Sequence, residues 1–139
     1  MTVGAVLSLD VGTKTIGVAV TDAGRRLVFP DRTLQRRGVA KDAAAVAELC
    51  RGRSVTQVVV GLPLTPDGGE GRSARLARQV AEAVGTSTGL PVAMQDERYS
   101  TVEADFRLAE AGADSRARRG IVDAHAAAVI LEDWLAQAR

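Results

Sequence analysis

The stretch LSLDVGTKTIGVAV, residues 7–20, decides the architecture. Two apolar runs, Ala5 to Val11 and Thr15 to Thr21, flank Gly12-Thr13-Lys14 and read as a β-hairpin. Near the end of the first run stands a carboxylate, Asp10. An ionised carboxylate in an apolar layer is costly unless a partner compensates it. Asp10 is therefore either tied into the Gly12-Thr13-Lys14 turn or turned toward a cation.

Reading outward, LVFPDRTL (27–34) is a third strand, placed at an edge because Pro30 would interrupt a central ladder. A helix is expected from Lys41 to Arg51, with Ala43, Val46, Leu49 and Cys50 on one stripe. QVVVGLPL (57–64) is a continuous apolar run, the mark of a parallel strand covered on both faces. The loop TPDGGEG leads into a helix from Ser73 to Val84, and PVAMQ (91–95) is a fifth strand. Ser100 and Glu103 form a capping box that opens a helix to Ala111, with Gly112 ending it. ADSRARRG reads as a basic loop, and a last helix spans Ile121 to Ala138. The sum is an α/β domain with a mixed sheet.

Composition narrows the class. A chain of 139 residues is expected to form one domain, 1–139, burying roughly two-thirds of its unfolded surface. Its 46% hydrophobic and 25% charged residues suit a soluble globule rather than a disordered chain. The apolar runs are too short to span a bilayer, and MTVGAVLSLD lacks a basic leader region. A cytoplasmic protein without a membrane partner is expected. Cys50 is the single cysteine, which excludes an internal disulfide and a cysteine-ligated zinc. The net charge of +1 argues against gross polyelectrolyte binding, yet sixteen of the eighteen cations are arginine. The planar guanidinium fork matches phosphate oxygens.

The acids fall into a pattern. Asp10 lies near the carboxyl end of the first strand, and Glu97 follows directly on the fifth. Ligands of open α/β sheets bind outside the carboxyl ends of parallel strands, so both acids reach one rim if these strands run parallel. Asp123 shares a helical stripe with Ala126, Ala127, Ile130 and Trp134, which turns it toward the sheet. Three like charges converge, and magnesium or manganese, held by carboxylates and waters, resolves their repulsion.

Four blocks of the chain, LSLDVGTKTIGVAVTD, VVVGLPLTPDGGEGRSA, DERYSTVEA and VDAHAAAVILEDWL, resemble the signature blocks of the YqgF (RuvX-like) family. Members are described as Holliday-junction resolvases or as pre-16S ribosomal RNA nucleases, with a ribonuclease H-like fold. The resemblance covers nearly the whole chain. It implies a five-stranded mixed sheet of order 3-2-1-4-5 flanked by helices, with the second strand antiparallel. It also implies a nuclease in which Asp10, Glu97 and Asp123 are the catalytic acids and hold two Mg2+ or Mn2+ ions, Asp10 bridging both. In such a site the ions clamp the attacking and leaving oxygens of an in-line hydrolysis. Where the family often carries Lys before the VD pair, this chain has Ile121.

The expected partner is nucleic acid, with structured RNA favoured and branched DNA as the alternative. Processing of the 5′ end of pre-16S ribosomal RNA is the favoured activity, by a monomer or a homodimer. Lys14, Arg72, Arg75, Arg98, Arg116, Arg118 and Arg119 are candidate contacts to backbone phosphates, which supply most sequence-independent affinity. The glycines of GLPLTPDGGEG either let backbone approach a phosphate or only supply turns. Tyr99 stacks on a base or packs in the core, while Cys50 and His125 read as structural and peripheral. Two rivals belong to other classes. A sugar-kinase or actin-like ATPase shares the strand-turn-strand opening but needs a second such domain. A non-catalytic ribosome-assembly factor would have kept the fold and lost its chemistry.

Overall fold

The 7–20 stretch forms the hairpin its pattern predicts: β1 (Ala5–Val11) and β2 (Thr15–Thr21) pair antiparallel, with Asp10 opposite Gly17. The computed structural model describes residues 4–97 and 115–138, with side chains described for 4–97 and 124–138. After β2 come β3 (Val28–Gln35), α1 (Val39–Gly52), β4 (Val55–Leu62), α2 (Arg72–Thr88), β5 (Val92–Asp96) and α3 (Ser115–Ala138). The strands form one sheet in the order β3-β2-β1-β4-β5. β3 joins β2 antiparallel, whereas β4 pairs parallel with both β1 and β5. The order and the antiparallel second strand agree with the expectation. The carboxyl ends of β1, β4 and β5 accordingly share one rim.

Pro30 sits in β3 at the edge, opposite Ala19, beside an irregularity in the β2–β3 register. A residue without an N–H is tolerated there because no further strand needs it. α2 runs on to Thr88, beyond the expected Val84, and ends at Gly89, whose φ of 70° is the left-handed conformation favoured by glycine.

The side-chain alternation of the central strands separates two apolar layers. Leu7, Leu9, Ile16, Val18, Val58 and Val60 face α1 and α2, where Val46, Val80 and Val84 complete a buried cluster. Val6, Ala19 and Val59 face the other way, against Ala127, Ile130, Leu131 and Leu135 of α3. Cys50 belongs to the first layer as a small core residue, and burial pushes its thiol up to about 11.

A buried polar bond pins α3 to the sheet: Ser8 Oγ donates to the Ala127 carbonyl at 2.7 Å. Its C-terminal residues Trp134, Leu135 and Ala138 line a cleft with Gly24–Arg26 of the β2–β3 turn. That turn lies beside the start of β1, where the Gly4 N–H bonds the Ala23 carbonyl. α3 thus runs antiparallel to β1, and its N-terminal half heads toward the rim.

The expected basic loop is not a loop: Ser115 to Gly120 forms the opening of α3. Alanine and arginine are strong helix formers, and one glycine costs only about 1 kcal/mol against the many hydrogen bonds that follow. The expected helix from Ser100 to Ala111 lies outside the described residues.

Leu131 is fully buried between α3 and the sheet. Leu131→Ala should lower unfolding free energy by about 2–5 kcal/mol, read from urea denaturation with an unchanged slope.

Candidate active site

Asp10 follows Ser8 on the face of β1 that looks toward α3, and it is the one half-buried residue in an otherwise buried strand. The backbone beyond it closes at once, with the Gly12 N–H bonding the Thr15 carbonyl at 2.8 Å.

Glu97 stands one residue beyond β5, where its N–H still bonds the Leu62 carbonyl of β4 at 3.2 Å and so extends the ladder. Asp10 and Glu97 belong to strands with β4 between them, a separation of roughly 10 Å at ordinary strand spacing. Their side chains nevertheless hydrogen-bond. Gly61 makes this possible. Leu9 pairs with Val60, so Gly61 is level with Asp10 on the intervening strand. A Cβ at Gly61 would overlap Glu97 Oε2 and stand 2.6 Å from Ile130 Cδ1. The space a side chain would fill is taken by the Glu97 carboxyl.

Burial in this niche pushes the Glu97 carboxyl up to about 9. The negative charge of Asp10, the bond to it and the charge of Asp96 act in the same direction. Two adjacent carboxylates do not both ionise readily, so the pair holds a proton more tightly than an isolated carboxyl does.

Asp123 lies on α3 one helical turn before Ala127, the residue pinned to Ser8, and Asp10 lies one inward-facing position beyond Ser8. The antiparallel run of α3 therefore carries the backbone of Asp123 toward the end of β1 that holds Asp10. The Asp123 side chain lies outside the described residues, and among those described no three metal-ligating side chains cluster.

Three of the candidate cations, Lys14, Arg72 and Arg75, stand near the same rim. Lys14 is exposed on the β1–β2 turn, and Arg72 and Arg75 are exposed on the opening of α2, which follows the carboxyl end of β4. Arg116, Arg118 and Arg119 stand on the opening turns of α3 with side chains outside the described residues. Arg98 and Tyr99 lie wholly outside them. His125 is half-buried on α3.

The loop after β4 is a closed turn rather than an open phosphate cradle. Leu64 bridges Glu70, the Thr65 N–H bonds the Gly69 carbonyl and the Gly68 N–H bonds the Thr65 carbonyl. The Gly69 N–H donates to Thr65 Oγ1 and Asp67 Oδ1, and the Thr65 hydroxyl bonds Asp67. These donors hold Asp67 below the usual carboxylate range, and they are spent within the loop. Arg78 closes the far side with a two-pronged ion pair to Glu70.

Two residues near the rim carried little signal in the sequence. Gly61 looked like part of an apolar strand, and only a glycine inside that run hinted at a close approach. Arg36, one of two adjacent arginines, is mostly buried: its Nε donates to Asp42 Oδ2 at 2.6 Å and its Nη1 to the Gly12 carbonyl at 3.0 Å.

With this geometry in view, comparison with known proteins is specific. Residues 4–137 match the family model described as "RuvX: Holliday junction resolvase". The chain is 50% identical over 129 residues to a protein of Anaeromyxobacter dehalogenans (strain 2CP-C) named "Putative pre-16S rRNA nuclease", covering 93% of this chain and 94% of that one. A protein of the same name from Acidiphilium cryptum (strain JF-5) is 41% identical over 129 residues, covering 93% and 82%. Among solved structures, T. thermophilus RuvC in complex with Holliday junction substrate superposes with a TM-score of 0.61 at 17% identity, covering 97% of this chain and 96% of that one. The match across nearly the whole chain, at 41% and 50% identity to these relatives, places it: the chain belongs to the RuvX (YqgF) family of nucleases and has their ribonuclease H-like fold.

Proposed function

We propose that this chain is a one-domain, metal-dependent nuclease of the cytoplasm, monomeric or homodimeric, that trims the 5′ end of pre-16S ribosomal RNA. The observation that carries the reading is the carboxyl pair Asp10–Glu97, brought together over Gly61 at the rim. The names of its relatives favour the RNA substrate. The description of the family model makes a four-way DNA junction the alternative to test beside it.

The donor set suits a hard divalent cation. Two hydrogen-bonded carboxyls in a half-buried niche repel each other once both ionise, and Mg2+ or Mn2+ favours oxygen ligands. Asp10, Glu97 and Asp123 would hold the ions. When bound, the metal neutralises charge on the scissile phosphate and lowers the pKa of a water. The chain's own contribution is to fix the carboxylates from two strands and one helix and to release the pair's proton on loading. Lys14, Arg72 and Arg75 supply positive charge around the rim, and Arg98, Arg116, Arg118 and Arg119 are assigned the same phosphate-contacting role.

Asp10→Asn should abolish cleavage while leaving the chelated protein at least as heat-stable, since it removes one of the clustered charges. Clear destabilisation in chelator would instead show Asp10 to be a structural turn residue. Magnesium or manganese should restore cleavage after chelation and calcium should not, because calcium takes more ligands at looser distances. Full activity in chelator would contradict the metal role.

A pH dependence follows from the raised Glu97 carboxyl. Between its ordinary 4.5 and about 9 the folded chain holds a proton that the unfolded chain has lost. Stability in chelator should therefore fall as pH rises through that window. Thermal melts at pH 6 and pH 8.5 should show this fall, flattened in Asp10→Asn.

Gly61→Ala should displace Glu97, lowering stability by about 1–3 kcal/mol as other overpacked cores do and cleavage far more. Equal activity in the variant would mean that the Glu97 position over Gly61 is immaterial.

A further inference from the structure

Arg36 follows directly on β3 and is chemically out of place there. Its side chain is 11% exposed, and its partner Asp42, in the opening turn of α1, is 4% exposed. A buried ion pair adds little stability over an apolar pair of the same size, whereas losing one partner is costly. The contacts of this pair serve defined ends. Asp42 accepts from Arg36 Nε and, through Oδ1, from the Arg37 N–H at 2.9 Å. That fixes the guanidinium plane. The other branch, Nη1, then reaches the Gly12 carbonyl at 3.0 Å, while the Arg36 N–H takes the Lys14 carbonyl at 2.9 Å. One residue thus grips both ends of the Gly12-Thr13-Lys14 turn, which begins two residues after Asp10.

We infer that Arg36 is a positioning residue of the nuclease: held by Asp42, it sets the β1–β2 turn so that Lys14 meets a backbone phosphate beside the Asp10–Glu97 pair. The inference rests on the proposed nuclease function. Asp10 itself is held within β1 by its pairing opposite Gly17, and β1 is flanked on both sides by hydrogen-bonded neighbours. The exposed turn beyond has less to hold it. Its internal closure is the Gly12 N–H to Thr15 carbonyl bond, so the Arg36 grip decides the orientation of Lys14. Lysine cannot replace this arginine, because an ammonium lacks the fork that bonds a carboxylate and a carbonyl from separate nitrogens. It does keep a charge for Asp42, which protects the fold.

The test is a double-mutant cycle on binding, with calcium in place of magnesium and two labelled probes, an RNA hairpin and a four-way DNA junction. Arg36→Lys and Lys14→Ala should each weaken binding about tenfold, the scale of one charge-assisted hydrogen bond. Each should flatten the log–log salt dependence by roughly 0.7–0.9, the loss of one phosphate contact. The double variant should bind no worse than Lys14→Ala, because Arg36 acts through Lys14. Asp42→Asn, which offers one acceptor oxygen to the two donors that Asp42 holds, should loosen Arg36 and weaken binding in the same direction, with no further loss when Lys14→Ala is added. Wild-type binding by Arg36→Lys, or losses that multiply in the double variant, overturns the inference. So does wild-type affinity in Asp42→Asn, which would mean that Asp42 does not hold the guanidinium that sets the turn. Wild-type protein that binds neither probe overturns the inference and the nuclease reading together, whereas normal wild-type binding with multiplying losses overturns the inference alone.

Discussion

A missing side chain governs the rim of this protein. β4 runs between the strands that carry Asp10 and lead to Glu97, and neighbouring strands lie about 4.8 Å apart. Two carboxyls that far apart bond only if the middle strand leaves the space between them open. Gly61 leaves it open, and the Glu97 carboxyl occupies the position where a Cβ would stand. The parallel pairing of β1, β4 and β5 supplies the rest of the condition, since it brings three strand ends to one edge.

The opposite wall is the long C-terminal helix. Ala124, Ala126, Ala127 and Ala128 are all buried, and such small side chains let α3 lie close on the sheet. Ser8 sets its register through the Ala127 carbonyl. The same β1 face therefore carries, in succession, an apolar contact at Val6, a helix anchor at Ser8 and the acid at Asp10. The arrangement concentrates carboxyl groups where packing alone would favour none, a pattern that marks functional sites.

Much of this was legible in the sequence, for identifiable reasons. Short apolar runs bounded by turn residues located all five strands, and Pro30 correctly marked the edge. The stripe through Ala127 and Ile130 correctly named the sheet-facing side of α3. What escaped was set by contacts distant in the chain. Gly61 matters because Glu97 and Ile130 converge on it, and no local pattern reports that. Arg36 and its neighbour Arg37 are indistinguishable until α1 docks and Asp42 selects one side chain. SRARRG reads as a basic loop, whereas the helix propensity of its alanine and arginines carries it into α3. The glycine-rich stretch after β4 was open between phosphate cradle and turn, and side-chain bonds from Thr65 and Asp67 decide for the turn.

The Asp10–Glu97 pair, completed by Asp123, is proposed to hold a divalent metal. Crystals of the protein soaked in manganese, measured at the manganese absorption edge, test it most directly. The expected result is anomalous density between the Asp10 and Glu97 carboxylates, with Asp123 bound to the same site and Gly61 beneath Glu97. An enzymatically active crystal form with no manganese between these carboxylates, or with the metal held elsewhere, would contradict it.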